Sequence, residues 1–240
     1  MEVLYEDNHI IIVNKAAGEI VQGDKTGDTP LVELVKDYLK EKYSKPGNVF
    51  CGVVHRLDRP VMGLVVFAKT SKALSRMNAL FQNREVQKTY WAITHFNPPK
   101  QEDTLTHYIT STERNNKSYA STTPKEGALK AVLDYKLISR SDNYFLLEIH
   151  LHTGRKHQIR VQLSEIGCPV KGDLKYGAPR SNPDASISLQ AHRIVFKHPV
   201  SGEIIDVTAP VPNEKLWQIL SENISKWESF LSVFSLRKDR

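Results

Sequence analysis

Apolar spacing near the N-terminus, in "HIIIVNKAAGEIV", gives a β-type run, a glycine-containing turn and a second apolar stretch, which predicts a hairpin at a sheet edge. Leu31, Leu34, Val35, Tyr38 and Leu39 then recur at helical spacing behind Pro30, and "SKPG" ends that helix. "LVVFAK" predicts a strand, "TSKALSRMNALF" an amphipathic helix with Leu74, Met77, Leu80 and Phe81 on one face, and "TYWAIT" a return to strand. The prolines of "FNPPKQEDT" predict a connector between two lobes. Beyond it, "KSYAST", "LKAVLDYKLIS" and "YFLLEIHLH" read as strands, the last two joined across "RSDN" as an antiparallel hairpin. Ile159, Leu163 and Ile166 predict a third helix, with Gly167 placed to end it in the left-handed conformation. "ISLQAHRIVFKHP" and "EIIDVTAP" predict a last hairpin, and "NEKLWQILSENI" an amphipathic helix. Strands joined mostly by hairpins, with helices interspersed, predict an α+β fold with a mainly antiparallel sheet.

Composition narrows this picture. A chain of 240 residues with 40% hydrophobic content buries one substantial core, divided at most into two lobes. Lys and Arg total 33 against 27 Asp and Glu, a formal charge of +6, so the surface field attracts polyanions. The two cysteines, Cys51 and Cys168, are too few for a disulfide framework and lack a CxxC spacing, which points to a reducing cytoplasm. "MEVLYEDNHIIIVNK" carries early acids and only a short apolar run, so neither a secretory signal nor a membrane span is expected.

Two stretches carry candidate chemistry. In "GVVHRLDRPVMGL" a single acid, Asp58, lies between Arg56 and Arg59. It is either half of a structural ion pair or a carboxylate kept ionised for use as a nucleophile or base. In "LHTGRKHQIRVQL", Arg155, Lys156, His157 and Arg160 crowd the start of the third helix, where the dipole disfavours cations. Such an arrangement needs an anion, either Asp58, a phosphate from outside, or both. His150, His152 and His157 have no Asp, Glu or Cys at a metal-site spacing, so no metal is expected. "KTYWAI" and "KGDLKYG" supply basic and aromatic side chains of the kind that stack on bases.

Taken in order, "LYEDNHIIIVNKAAG", "HRLDRPVMGLVVFAKT", "KTYWAI", "TGRKHQIRVQL" and "GCPVKGDLKYG" resemble the RluA-type pseudouridine synthases. The resemblance spans nearly the whole chain. It implies a single catalytic domain over residues 1–240, with a bent mixed sheet flanked by helices in two lobes, and a cytoplasmic enzyme that isomerises a uridine in tRNA or rRNA. The base is flipped out of its stack, detached from the ribose and rejoined through C5, without cofactor or metal. Asp58 matches the catalytic aspartate, acting at C1′ or removing the C2′ proton. Tyr90 matches the tyrosine that packs on the flipped base, and Arg160 the basic partner of the aspartate. Arg56 matches the arginine of the HRLD motif and, with Arg59, is expected to contact substrate. Arg155, His157 and Gln158 are expected to support the loop or touch RNA, and Lys156 to meet a phosphate. A monomer is expected.

The chain departs from the family pattern in two places. "RPVMGL" replaces something close to "RDTSGL", so Pro60, Val61 and Met62 alter the expected pocket rim. "VQL" stands where many relatives begin with Val-His. The resemblance begins at the first residues, so a form without an S4-type RNA-binding module is expected, with target choice coming from the domain itself, its connector or the C-terminal helix. Two rivals remain at this level: a glycosidic-bond hydrolase, which normally uses two carboxylates, and a non-catalytic RNA-binding or RNA-folding module on the same scaffold.

Overall fold

The computed structural model describes residues 1–112 and 115–224. In chain order its elements are β1 (Glu2–Glu6), β2 (Ile10–Lys15), α1 (Leu31–Lys42), β3 (Gly52–Val53), β4 (Met62–Ala68), α2 (Ser71–Gln82), β5 (Gln87–Thr94), β6 (Glu102–Thr112), β7 (Lys117–Ser121), β8 (Leu129–Arg140), β9 (Phe145–Leu151), α3 (Gln158–Glu165), a 3-10 turn (Leu174–Tyr176), β10 (Leu189–Lys197), β11 (Ile204–Thr208) and α4 (Lys215–Glu222). The architecture is α+β, and the strand pairing is mixed and mostly antiparallel.

Two compact units divide the chain. The first comprises Met1–Thr89, Asp184–Ser186 and Gln190–Ala209; the second comprises Tyr90–Pro183, Ile187–Leu189 and the described chain from Pro210 on. The division falls inside β5, and the expected connector lies within the second unit. Its last residues already belong to β6, a strand that the prolines and polar residues ahead of it concealed.

In the first unit the strands lie in the order β1-β2-β4-β10. β2 is antiparallel to both β1 and β4, whereas β4 and β10 run parallel. Ile10, Ile11, Ile12 and Val13 are all fully buried because this sheet is covered on both faces. Ile10 and Ile12 pack with Leu64, Val66 and Met77 of α2, while Ile11 and Val13 pack with Val65, Phe67 and Leu31, Val35 and Leu39 of α1. The predicted partner strand at Ile20–Val21 does not form. Those two carbonyls accept the N–H groups of Leu31 and Val32 at the entrance to α1, and β1 takes the place beside β2.

The second unit orders its strands β5-β9-β8-β6-β7. β8 alternates buried Ala131, Leu133, Tyr135 and Leu137 with more exposed residues, the period-2 pattern of a sheet with one packed face. α4 closes another part of this core with Trp217 and Leu220 against Trp91, Ile93 and Leu146. Gly167 has φ +77°, and its N–H reaches the Ser164 carbonyl, so α3 ends as expected. No described helix is long and apolar enough to cross a membrane.

Candidate active site

In the first unit, Asp58 is half-buried on the loop leading into β4. Its carbonyl accepts the Val61 N–H at 3.0 Å, closing a four-residue turn, and the Gly18 N–H reaches the Arg59 carbonyl at 2.9 Å. The register opposes Lys15 at the end of β2 to Gly63 at the start of β4, so the β2 terminus lies beside this turn. Lys15 is 1% exposed, and its ammonium donates to the carbonyls of Ala16, Arg59 and Val61 at 2.9, 3.1 and 2.6 Å. Burial lowers its pKa to about 8 against the pull of Glu19 and Asp58, with Arg59 acting in the same direction as burial. Nothing in the local sequence distinguished this lysine, because its burial is decided by a loop more than forty residues away.

Of the two arginines flanking Asp58, Arg59 is engaged by another acid. Arg56 and Arg59 are exposed, and Arg59 forms an ion pair with Asp28. His55 holds the loop from the other side: its Nε2 accepts the Val66 N–H at 3.1 Å and its ring stacks on Phe81. Burial, helped by the Lys88 charge, pushes this imidazole down to about 3, so it is neutral at physiological pH. Val61 is buried and therefore part of the packing rather than of an open rim, whereas Pro60 and Met62 are half-buried.

The second unit holds the remaining predicted residues. Tyr90 is buried in β5, 8% exposed. Arg160, on the first turn of α3, is 5% exposed and donates through Nε and Nη2 to Asp173 at 2.6 and 2.9 Å. The cation crowded at this helix start thus has an anion within its own unit, the acid of "KGDLKYG", whose neighbours in the chain give no sign of the pairing. The Tyr176 ring lies 5.0 Å from the Arg160 guanidinium. Its hydroxyl accepts the Ser118 N–H at 2.8 Å and shares a 2.7 Å hydrogen bond with His157 Nδ1; burial raises this phenol above its usual range.

His157 and Gln158 are buried and serve the loop entering α3. His157 adopts the left-handed conformation at the helix N-cap, φ +54°. Gln158 accepts from Thr153 Oγ1 and from the Arg155 N–H at 2.8 and 2.9 Å and donates to the Val132 carbonyl. Arg155 reaches the Lys130 carbonyl through Nε, and Lys156 is exposed. His150 and His152 face Glu148 and Asp134 respectively. Among the described residues no group of three or more His, Cys, Asp or Glu has metal-binding geometry.

A sequence model described as RNA pseudouridylate synthase matches residues 9–165, a span that includes Asp58, Tyr90 and Arg160. The chain belongs to the RNA pseudouridylate synthase family. This synthase is 34% identical over 229 residues to an uncharacterised RNA pseudouridine synthase of Synechocystis, covering 93% of this chain and 70% of the relative. It is 33% identical over 224 residues to the ribosomal large subunit pseudouridine synthase D of Zymomonas mobilis, covering 89% of this chain and 70% of that one. Among solved structures, human RNA pseudouridylate synthase domain containing 4 superposes with a TM-score of 0.76 at 23% identity, over 90% of each chain, which shows a shared fold. The protein is an isomerase that forms pseudouridine in RNA.

Proposed function

We propose that this synthase converts a uridine of large-subunit ribosomal RNA, with Asp58 as the group that acts at the ribose. In the overall change the N1–C1′ bond breaks, a C5–C1′ bond forms, C5 loses its proton and N1 gains one, so the RNA keeps its mass. Such chemistry needs the uridine outside the helical stack and a carboxylate held in a fixed attitude. The observation that carries the reading is the Asp58 turn, half-buried and bound to the main chain at both ends inside the matched family span. Tyr90 serves as the aromatic wall for the base, its buried place on β5 supplying a rigid platform. Arg160 supplies the cationic charge of the site, and Asp173 fixes the plane of its guanidinium. Arg56, Arg59, Arg155 and Lys156 contribute contacts to phosphates, and the active unit is one chain without metal or cofactor, working in the cytoplasm. Relatives named ribosomal large subunit pseudouridine synthase D in Zymomonas mobilis and C in Rickettsia bellii support the choice of RNA.

The test is to delete the gene and map pseudouridines in all ribosomal and transfer RNAs by chemical probing. One large-subunit site should vanish, return with the wild-type gene and stay absent with Asp58→Ala, while the purified variant still binds RNA. Loss of a tRNA site instead would overturn the target, and restoration by Asp58→Ala would overturn the mechanism. Free uracil as product would place the enzyme among hydrolases.

A further inference from the structure

A lysine ammonium is rarely taken out of water unless something specific holds it. Lys15 has three N–H donors, and the structure gives them the carbonyls of Ala16, Arg59 and Val61. Two of those acceptors immediately follow Asp58 in the chain, one and three residues on. Around them, the Ala16 N–H is held by Glu19 at 2.8 Å, the Gly18 N–H reaches Arg59, and the Val61 N–H reaches Asp58. The turn after β2 and the turn containing Asp58 are therefore fastened to each other, with the ammonium in the middle. Only the side-chain torsions of Asp58 remain to be set once its main chain is fixed this way.

We propose that Lys15 is a positioning residue for the isomerisation, fastening the 58–61 turn so that the Asp58 carboxylate is presented in its working attitude, without itself touching RNA. The inference rests on Asp58 as the acting group. An uncharged side chain of similar length fills the space but removes the ammonium from the Val61 carbonyl and leaves the Arg59 carbonyl to the Gly18 N–H alone, and the turn relaxes. Displacements of about 1 Å in a reacting group cost on the order of 100-fold in rate. Charge matters as well as hydrogen bonding: on deprotonation the amine keeps only two donors for three carbonyls, and it loses its attraction to Glu19 and Asp58, the anions that act on it, while Arg59 is the opposing cation. With the ammonium titrating at about 8, the fastening loosens in mildly alkaline solution.

The experiment uses the full chain, total RNA from cells lacking the gene as substrate, and single-turnover pseudouridine formation as the readout, beside filter-binding affinity for the same RNA. Lys15→Met should lose about 100-fold in rate with unchanged RNA affinity. Lys15→Cys, in a background with Cys51 and Cys168 replaced by Ala, is alkylated with 2-bromoethylamine in urea and refolded, because position 15 is as buried as the two native cysteines; this rebuilds an ammonium side chain of lower intrinsic pKa. The alkylated protein should regain rate at neutral pH and lose it on the alkaline side at a lower pH than wild type. A folded Lys15→Met enzyme at wild-type rate would overturn the proposal, as would an alkaline limb that stays in place after alkylation. Should Lys15→Met fail to fold, the position of that limb decides alone. Activity in Asp58→Ala, measured alongside, would instead overturn the reading of Asp58.

Discussion

Arg160 and Asp173 form a two-point ion pair between side chains that are 6% and 2% exposed, thirteen residues apart and joined across the turn that follows α3. The fork of the guanidinium matches the two carboxylate oxygens, so the pair fixes direction as well as charge. Removing Arg160 takes both of these contacts from the buried Asp173 carboxylate, and removing Asp173 takes them from the buried guanidinium. Asp173→Asn should cost about 3–5 kcal/mol of folding stability, read as a lower urea midpoint. Arg160→Lys should also lose stability and turnover together, because an ammonium cannot make both contacts. Turnover of any Arg160 variant therefore has to be expressed per folded molecule.

Gly63 offers a second, purely steric prediction. The second residue of β4, it has φ +111°, and a Cβ there would lie 2.3 Å from the Ala191 carbonyl oxygen of the parallel strand β10. Gly63→Ala combines an unfavourable backbone conformation with a clash against main chain, and should cost about 3 kcal/mol. The expected readout is a depressed melting temperature. Gly167→Ala, where a Cβ meets nothing within 4 Å, should cost only the backbone strain, on the order of 1 kcal/mol.

Acid should destabilise the fold in two windows. His55 has a folded pKa of about 3 against an ordinary 6.5, so the unfolded chain binds the extra proton. The stability that it contributes is complete above 6.5 and declines as pH falls toward 3, by up to about 1.4 kcal/mol per pH unit. His55→Gln, which cannot titrate, should flatten the dependence of the urea midpoint between pH 6.5 and 5. Burial alone would raise the Glu6 carboxyl, but hydrogen bonds from Lys42, Lys69, Tyr43 and Tyr38 outweigh it and hold it at about 2. Its contribution is full above 4.5 and disappears as pH drops toward 2, so Glu6→Gln should be less stable than wild type at pH 7 and converge with it in strong acid.

RNA affinity should fall steeply with salt. With a formal charge of +6 and the exposed cations Arg56, Arg59 and Lys156, binding should weaken as log salt rises, with a slope of about −0.7 for each phosphate neutralised on single strands. Lys156→Ala should make that slope shallower by roughly one contact's worth and leave single-turnover chemistry at saturating RNA unchanged.

The sequence made some of these features readable and hid others for physical reasons. The β2 strand and both hairpins, β8 with β9 and β10 with β11, announced themselves through apolar runs bounded by turn residues, and Gly167 marked its helix end. β1 stayed hidden because its ends are glutamates, and Glu6 is there to receive two lysines and two tyrosines rather than to face water. Ile20 and Val21 looked like a strand because they are buried, yet their carbonyls serve the entrance of α1. As candidate site residues the motifs single out Asp58, Tyr90 and Arg160, but Lys15 beside the Asp58 turn and Asp173 beside Arg160 do not stand out. Asp173 and Lys15 acquire their meaning only when the chain folds back, since an acid thirteen residues downstream or a lysine at a strand end has no pattern of its own. Local charge even misled: the neighbouring Arg59 engages Asp28.

Lys15 grips backbone oxygens rather than side chains. Every amino acid offers the same carbonyl, so the segment after Asp58 can exchange polar residues for Pro60, Val61 and Met62 and still be held. A grip on main-chain oxygens is indifferent to side-chain identity, so exchanging the half-buried Pro60 or Met62 would leave the anchorage of the 58–61 turn in place.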